Sequence, residues 1–200
     1  MNTYTIKKIS DTPDWSAIPS LPIDQVHKAD TAPVRAWAQV AYDGSSLFVR
    51  LRAEEADIRM DESGPLANTW EDSCLEFFFS PVEGDPRYIN LETTPGGAYF
   101  MGIGTGRQDL MRLLPLRPEA GLQIRVSFFD GGWEVSYELP YSFIRRLFPS
   151  FAPKSGDVLR ANFYKCGDKT SQPHWMSWSR VEAQPLNFHT PEYFGTMIFE

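Results

Sequence analysis

The sequence predicts an all-β fold, a single-domain antiparallel two-sheet β-sandwich with little helix. Three observations carry this expectation. Short apolar runs alternate with period two, turn signals recur roughly every ten to fifteen residues, and helical patterning is confined to one stretch. The elements follow in chain order. Residues 1–32, with Pro13, Pro19 and Pro22 and bounded by Pro33, read as an extended N-terminal arm packing on a domain of residues 33–200. "VRAWAQVAYDGSSLFVRLRAEE" reads as two strands around the turn "DGSS", with Leu47, Val49 and Leu51 alternating against Phe48, Arg50 and Arg52. Further strands are expected in "SCLEFFFSP", "RYINLETTP" and "AYFMGIGT". Next comes "LQIRVSFFDGGWEVSYELP", whose Asp130-Gly131-Gly132 is a hairpin signal. "YSFIRRLFPS", after Pro140, is the one helical candidate, and "VLRANFYKCGD", "HWMSWSRV" and "FGTMIFE" complete the strands. No internal repeat, low-complexity tract or second core interrupts this pattern.

Composition bounds the function. A formal charge of −7 without a basic run argues against nucleic acid, because a phosphate-binding surface needs clustered Lys and Arg. The opening "MNTYTIKKIS" has no apolar core of a signal peptide, and no stretch reaches the length of a membrane span. The chain as given is therefore expected in the cytoplasm, or outside the cell if it is a mature form, with no membrane insertion. Cys74 and Cys166 lack metal-site spacing and are expected as buried free thiols in strands that can neighbour one another. Aromatic residues reach 14%, with six Trp, which prompts a search for those outside the core.

Alternation places side chains on faces. In "SCLEFFF", Cys74, Glu76 and Phe78 share one face, opposite Leu75, Phe77 and Phe79. In "YINLETT" the same count joins Asn90 and Glu92, and in "LRANFYKC" it joins Arg160, Asn162, Tyr164 and Cys166. If these strands are neighbours, Glu76, Asn90, Glu92, Arg160 and Asn162 form a polar floor. Carboxylate, amide and guanidinium groups side by side suit the paired hydroxyls of a sugar. Trp70 precedes one polar strand, in "PLANTWEDS", while Trp175 and Trp178 follow another, in "QPHWMSWSRV". Indoles from two loops at one end of a sandwich would clamp a sugar ring, whose C–H patches match an aromatic face.

These residues carry a resemblance. "WEDSCLEFFFSP…YINLETTPGGA", followed by "LRANFYKCGD…HWMSWSRV…FHTPEYFGTMIFE", resembles the family 9 carbohydrate-binding modules and their single-domain relatives in the DOMON-like group. The resemblance implies a β-sandwich that grips a mono- or oligosaccharide or a polysaccharide end between two tryptophans. It implies non-catalytic binding, in some members structural calcium, and a glycoside hydrolase as a partner acting alongside. Trp70 matches the first clamp residue, Glu76 a sugar-contacting glutamate, and the Trp175 segment the second clamp, with Trp178 as its rival. Gln172 stands where the family places an amide. The glycine-rich "TTPGGAYFMGIG" holds no arginine, where the family would supply one.

Other readings stand beside this one. Trp15, Trp37 and Trp133 are most simply core or arm-packing residues. Glu76 and Arg160 read equally as a buried ion pair fixing strand register. Glu76 and Glu92 supply the two carboxylates of a glycoside hydrolase. Met60, Met101, Met111, His174 and His189 supply the residue types of a haem-binding redox sandwich, although no Cys-x-x-Cys-His attaches haem. His174 and His189 lack a second histidine at metal-ligand spacing, so no metal site is assigned.

Overall fold

The computed structural model describes residues 2–29, 34–117 and 121–200. The described residues form fourteen strands and one α-helix in one continuous curled sheet that folds over itself as a sandwich. The strands are β1 (Thr3–Lys8), β2 (Leu21–Pro22), β3 (Gln25–Ala29), β4 (Arg35–Tyr42), β5 (Ser46–Glu54), β6 (Cys74–Ser80) and β7 (Tyr88–Thr93). They continue with β8 (Tyr99–Gly104), β9 (Met111–Arg112), β10 (Ile124–Phe129), β11 (Gly132–Pro140), β12 (Val158–Cys166), β13 (His174–Ser177) and β14 (Gly195–Phe199). The helix α1 (Tyr141–Leu147) is the one expected after Pro140.

The strand order β10-β11-β5-β4-β1-β14-β12-β6-β7-β8-β9 runs from one sheet into the other through β1. Thr3 to Ile6 pair with β14, and Lys7 and Lys8 pair with β4. Both pairings are parallel, so an otherwise antiparallel sandwich is mixed at its seam. The N-terminal segment is extended, as its prolines predict, but does more than pack on the domain. It supplies β1, and its β2 and β3 pair with β4 and β13. The expected boundary at residues 32 and 33 lies outside the described residues.

The alternation read from the sequence is realised in the core. Leu47, Val49 and Leu51 are fully buried between the sheets, with Leu75, Phe77 and Phe79 facing them from β6. The rings of Phe77, Phe79 and Phe163 stack at 4.6 and 4.7 Å. Gly131 turns the β10–β11 hairpin with φ of 82°, a conformation glycine adopts without steric cost. Trp133 is core, whereas Trp37 alternates outward from Ala36 and Ala38 and is half-buried under Arg35.

One polar network crosses the interior. Glu55, just beyond β5, accepts hydrogen bonds from Trp133 Nε1 at 2.6 Å and Ser73 Oγ at 3.0 Å, and pairs with Lys165 Nζ at 3.1 Å. Lys165 also donates to the Cys166 carbonyl and to His174 Nε2, both at 2.9 Å. Glu55 and Trp133 belong to one sheet and Lys165 and His174 to the other, so a fully partnered charge pair pins the sheets together at one end. Removing one member of such a pair leaves the other buried and uncompensated. Glu55→Gln is therefore expected to lower unfolding free energy by about 3–5 kcal/mol in urea denaturation. The double variant Glu55→Gln, Lys165→Met should lose less than the sum of the two single variants. A loss below about 1 kcal/mol for Glu55→Gln, the scale of exposed pairs, would show that the network does not join the sheets.

Candidate functional site

The outer face of the β12–β6–β7–β8 sheet carries the site. Register brings its side chains into rows: Glu76 lies opposite Glu92 on one side and Tyr164 on the other, Cys74 opposite Cys166, and Cys166 opposite Trp175. At one end of this face, residues 181–194 form a cover. Phe188 stacks on Tyr164 at 4.2 Å and Phe194 meets Tyr88 edge-on at 5.7 Å, closing a second apolar cluster around Phe78. Beside this cover the face opens as a cavity of about 370 Å³. It is lined by Trp70, Glu76, Glu92, Phe100, Arg107, Leu110, Cys166, Asp168, Trp175, Leu186, Asn187, Phe188 and His189.

The two tryptophans come from different local structures. Trp70 belongs to a 3-10 turn, Thr69–Glu71, and meets Phe100 edge-on at 6.2 Å. Trp175 lies within β13 and not in a loop, with the Lys28 ammonium 4.5 Å from its ring centroid. Asp168 ties the two segments together. Its backbone N–H donates to the Trp70 carbonyl at 3.1 Å, and its carboxylate accepts from Trp175 Nε1 at 2.5 Å. Lys169 N–H adds a bond to the Glu71 carbonyl at 3.0 Å.

The floor is acidic and buried. Donor atoms of Cys74, Glu76 and Glu92 lie within 4.8 Å of one another. Glu92 accepts from Thr69 Oγ1 at 2.5 Å and from Asn90 Nδ2 at 3.0 Å. Burial, and then Glu92 beside it, holds the Glu76 carboxyl well above the usual carboxylate range, against the opposing hydrogen bonds of the Cys166 and Cys74 thiols. Burial also raises Glu92, which Thr69, Asn90 and Arg112 partly offset. Both thiols are pushed well up by burial and then by Glu76, so they remain protonated, unreactive thiols.

Of the residues singled out from the sequence, Trp70, Glu76, Glu92 and Trp175 line one cavity. The others do not. Asn90 lies fully buried and hydrogen-bonds Glu92 without lining the cavity. Arg160 shares the face but pairs in register with Ser80, four residues from Glu76, or about 13 Å along the strand. Its guanidinium donates to the Phe194 and Gly195 carbonyls, so it anchors the cover and forms no floor with Glu76. Asn162 is spent on the backbone, donating to Ser179 O at 2.9 Å and accepting from Ser179 N at 2.8 Å. Trp178, on the opposite side of the alternation from Trp175, packs in the inter-sheet core against Phe163. Gln172 is exposed and contributes its carbonyl to His174 and Thr170.

Several lining residues were not singled out for binding. Arg107, three residues past the end of "TTPGGAYFMGIG", brings a guanidinium into the cavity lining. Asp168, likewise not singled out from the sequence, is the tie between the tryptophans. Phe100 faces the cavity because it pairs with Glu92 across β7–β8, which alternation alone would have given had that pairing been known. His189 closes the wall, with Nδ1 2.8 Å from the Tyr88 hydroxyl. For a haem the residue types do not assemble. His174 is held by Lys165 and the Gln172 carbonyl, Met101 is core, and no methionine lines the cavity with His189.

Comparison with known proteins gives the family and the fold. The model of the family described as "Carbohydrate-binding family 9" matches residues 13–199. A candidate carbohydrate-binding protein from Bacteroides uniformis ATCC 8492 superposes with a TM-score of 0.84 at 28% identity, covering 99% of each chain. A family 9 carbohydrate-binding module from Caldicellulosiruptor kristjanssonii, crystallised with cellotriose, superposes at 0.70 with 10% identity over 100% of this chain and 94% of that one. The same organism's module with glucose gives 0.71 at 10% identity, covering 100% and 96%. At that identity the likeness is one of fold. No curated protein matches the chain.

The histidines give a test of the site's burial. Burial, then Arg107, lowers the His189 pKa to about 4. Burial, then Lys165, lowers His174 to about 4, consistent with Nε2 accepting from the lysine. Groups whose folded pKa is depressed below 6.5 contribute stability that is present above that value and lost as pH falls toward about 4. Glu76 and Glu92, raised in the folded state, act in the opposite sense, so a residue-resolved readout is needed. Imidazole ¹⁵N shifts are expected to report neutral rings for His174 and His189 at pH 5.5, a pH between 4 and 6.5. Protonated rings at that pH would mean that water reaches them.

Proposed function

We propose that this chain, which belongs to carbohydrate-binding family 9, holds a single sugar ring between Trp70 and Trp175 over the carboxyls of Glu76 and Glu92. The observation that carries this reading is one open cavity lined by two indoles, Trp70 and Trp175, together with the buried carboxyls of Glu76 and Glu92. Each hydrogen bond to a sugar hydroxyl replaces one to water and nets only about 0.5–1.5 kcal/mol. Stacking on indole therefore has to supply much of the affinity, through dispersion and the match between C–H groups and the π face. The expected range is micromolar to millimolar, roughly −4 to −8 kcal/mol. Arg107 and Asn187 stand at the wall, in reach of whatever occupies the cavity, and add donors that fix ring orientation. The carbohydrate ligands of the Caldicellulosiruptor modules, cellotriose and glucose, support the ligand class.

The reading is of binding without cleavage. The two carboxyls of a glycoside hydrolase flank the scissile bond from opposite sides. Glu76 and Glu92 instead rise from directly paired positions on neighbouring strands, on one side of the cavity. Two side-by-side acids of this kind suit hydroxyl recognition, and the third carboxylate of the cavity, Asp168, is engaged by Trp175 Nε1. Family 9 is a binding family, which supports the same conclusion. No calcium site is assigned among the described residues. Calcium takes six to eight oxygen ligands, whereas the one three-donor group among the described residues includes the Cys74 thiol. Asp72, another buried carboxylate, is already used by Arg59 and by the N–H groups of Asp61 and Glu62.

Trp70→Ala and Trp175→Ala are each expected to weaken calorimetric affinity for glucose or a short gluco-oligosaccharide at least about tenfold, or 1.4 kcal/mol. Neither indole lies in the inter-sheet core, so far-UV circular dichroism should be unchanged. Trp178→Ala serves as the contrast, since it removes a core side chain and should lower stability first. Parent-like affinity in both cavity variants would refute the clamp.

A further inference from the structure

The cavity floor holds a buried carboxyl set beside a second carboxyl. Glu76 is 3% exposed, lines the cavity, and belongs to no ion pair among the described residues. Its polar neighbours are Glu92, the Cys74 and Cys166 thiols, and Asp168. The buried carboxylates outside the cavity are treated differently: Glu55 has Lys165, and Asp72 has Arg59. Glu92 has donors in Thr69 and Asn90, and the cation nearest in effect is Arg112. That guanidinium is engaged by the Ala67 carbonyl at 2.9 Å and by the Phe100 ring at 4.4 Å. Two carboxyls whose oxygens lie within 4.8 Å therefore share one floor without a counter-ion between them.

We propose that the sugar this cavity favours carries a free amine, with its ammonium seated between Glu76 and Glu92. The proposal rests on the sugar-binding reading above. An ammonium brings three donors and a compact charge, enough to touch both carboxyls at once and offset their mutual repulsion. A neutral hydroxyl donates a single hydrogen bond and brings no charge to the pair. A uronate adds a third negative group to the floor. The raised position of Glu76, caused first by burial and then by Glu92, is what a carboxyl pair lacking a counter-ion shows. Arg107, on the wall, remains for the sugar's hydroxyls.

The test compares four methyl glycosides by calorimetry, in both gluco and galacto configuration, at a pH where the amine is charged: the neutral hexoside, the 2-amino sugar, its N-acetyl form and the uronide. The amino sugar is expected to bind at least about tenfold tighter than the neutral hexoside, the advantage to vanish on N-acetylation, and the uronide to bind weakest. In Glu76→Gln and in Glu92→Gln the ratio of amino to neutral affinity should fall toward one. If either variant does not fold, the parent's ranking and its loss on N-acetylation decide. Neutral hexosides binding as tightly as the amine, or an advantage surviving in both variants, overturns this proposal and leaves the sugar-binding reading standing. Failure of every glycoside to bind overturns both.

Discussion

Asp168 is the interaction on which the site depends. Its backbone N–H holds the carbonyl of Trp70, and its carboxylate holds the indole N–H of Trp175. One residue therefore sets the separation of two aromatic walls that come from segments more than a hundred residues apart. In the proposed clamp, indoles tied in this way would lose little entropy on binding a ring, so stacking would not be consumed in ordering them. Burial raises the Asp168 carboxyl, and the Trp175 hydrogen bond counters it. The bond thus favours the charged form of the carboxyl.

The residues leading into Asp168 each serve a different part of the molecule. Lys165 points between the sheets to Glu55, and Cys166, one residue on, points to the cavity floor. Gly167 then passes so close to His174 that a Cβ there would lie 2.6 Å from the ring. His174 in turn accepts from Lys165, which closes the loop onto the interior network. The segment that carries Asp168 is thereby connected to the charge pair that joins the sheets. Strand alternation is the cause: at the end of β12, one step along the chain switches a side chain from core to site.

That alternation is also why so much was legible beforehand. The face assignments of Cys74, Glu76, Phe78 and Glu92, the hairpin at Gly131 and the helix after Pro140 all follow from local pattern and are all realised. Position along a face is not local. Arg160 shares a face with Glu76 yet lies four pairs away, because register is set by the partner strand. The choice between Trp175 and Trp178 was readable by parity, since Cys166 and Trp175 are directly paired, but only once β12 and β13 were known to be neighbours. The cover formed by residues 181–194 and the parallel seam at β1 arise from long-range contacts that no window of sequence contains. Arg107 escaped because a glycine-rich turn and not a strand delivers it, so periodicity had nothing to say about its direction.

The central claim is that Asp168 positions both tryptophans for one sugar ring. The direct measurement is calorimetric affinity for a neutral methyl hexoside in Asp168→Ala and Asp168→Asn, with tryptophan fluorescence recorded on the same samples. The account predicts at least about a tenfold loss in Asp168→Ala, with an altered tryptophan spectrum before sugar is added. Asp168→Asn keeps an oxygen that can accept from Trp175 Nε1 and should recover most of the affinity. Parent affinity in Asp168→Ala, with an unchanged spectrum, would contradict the account.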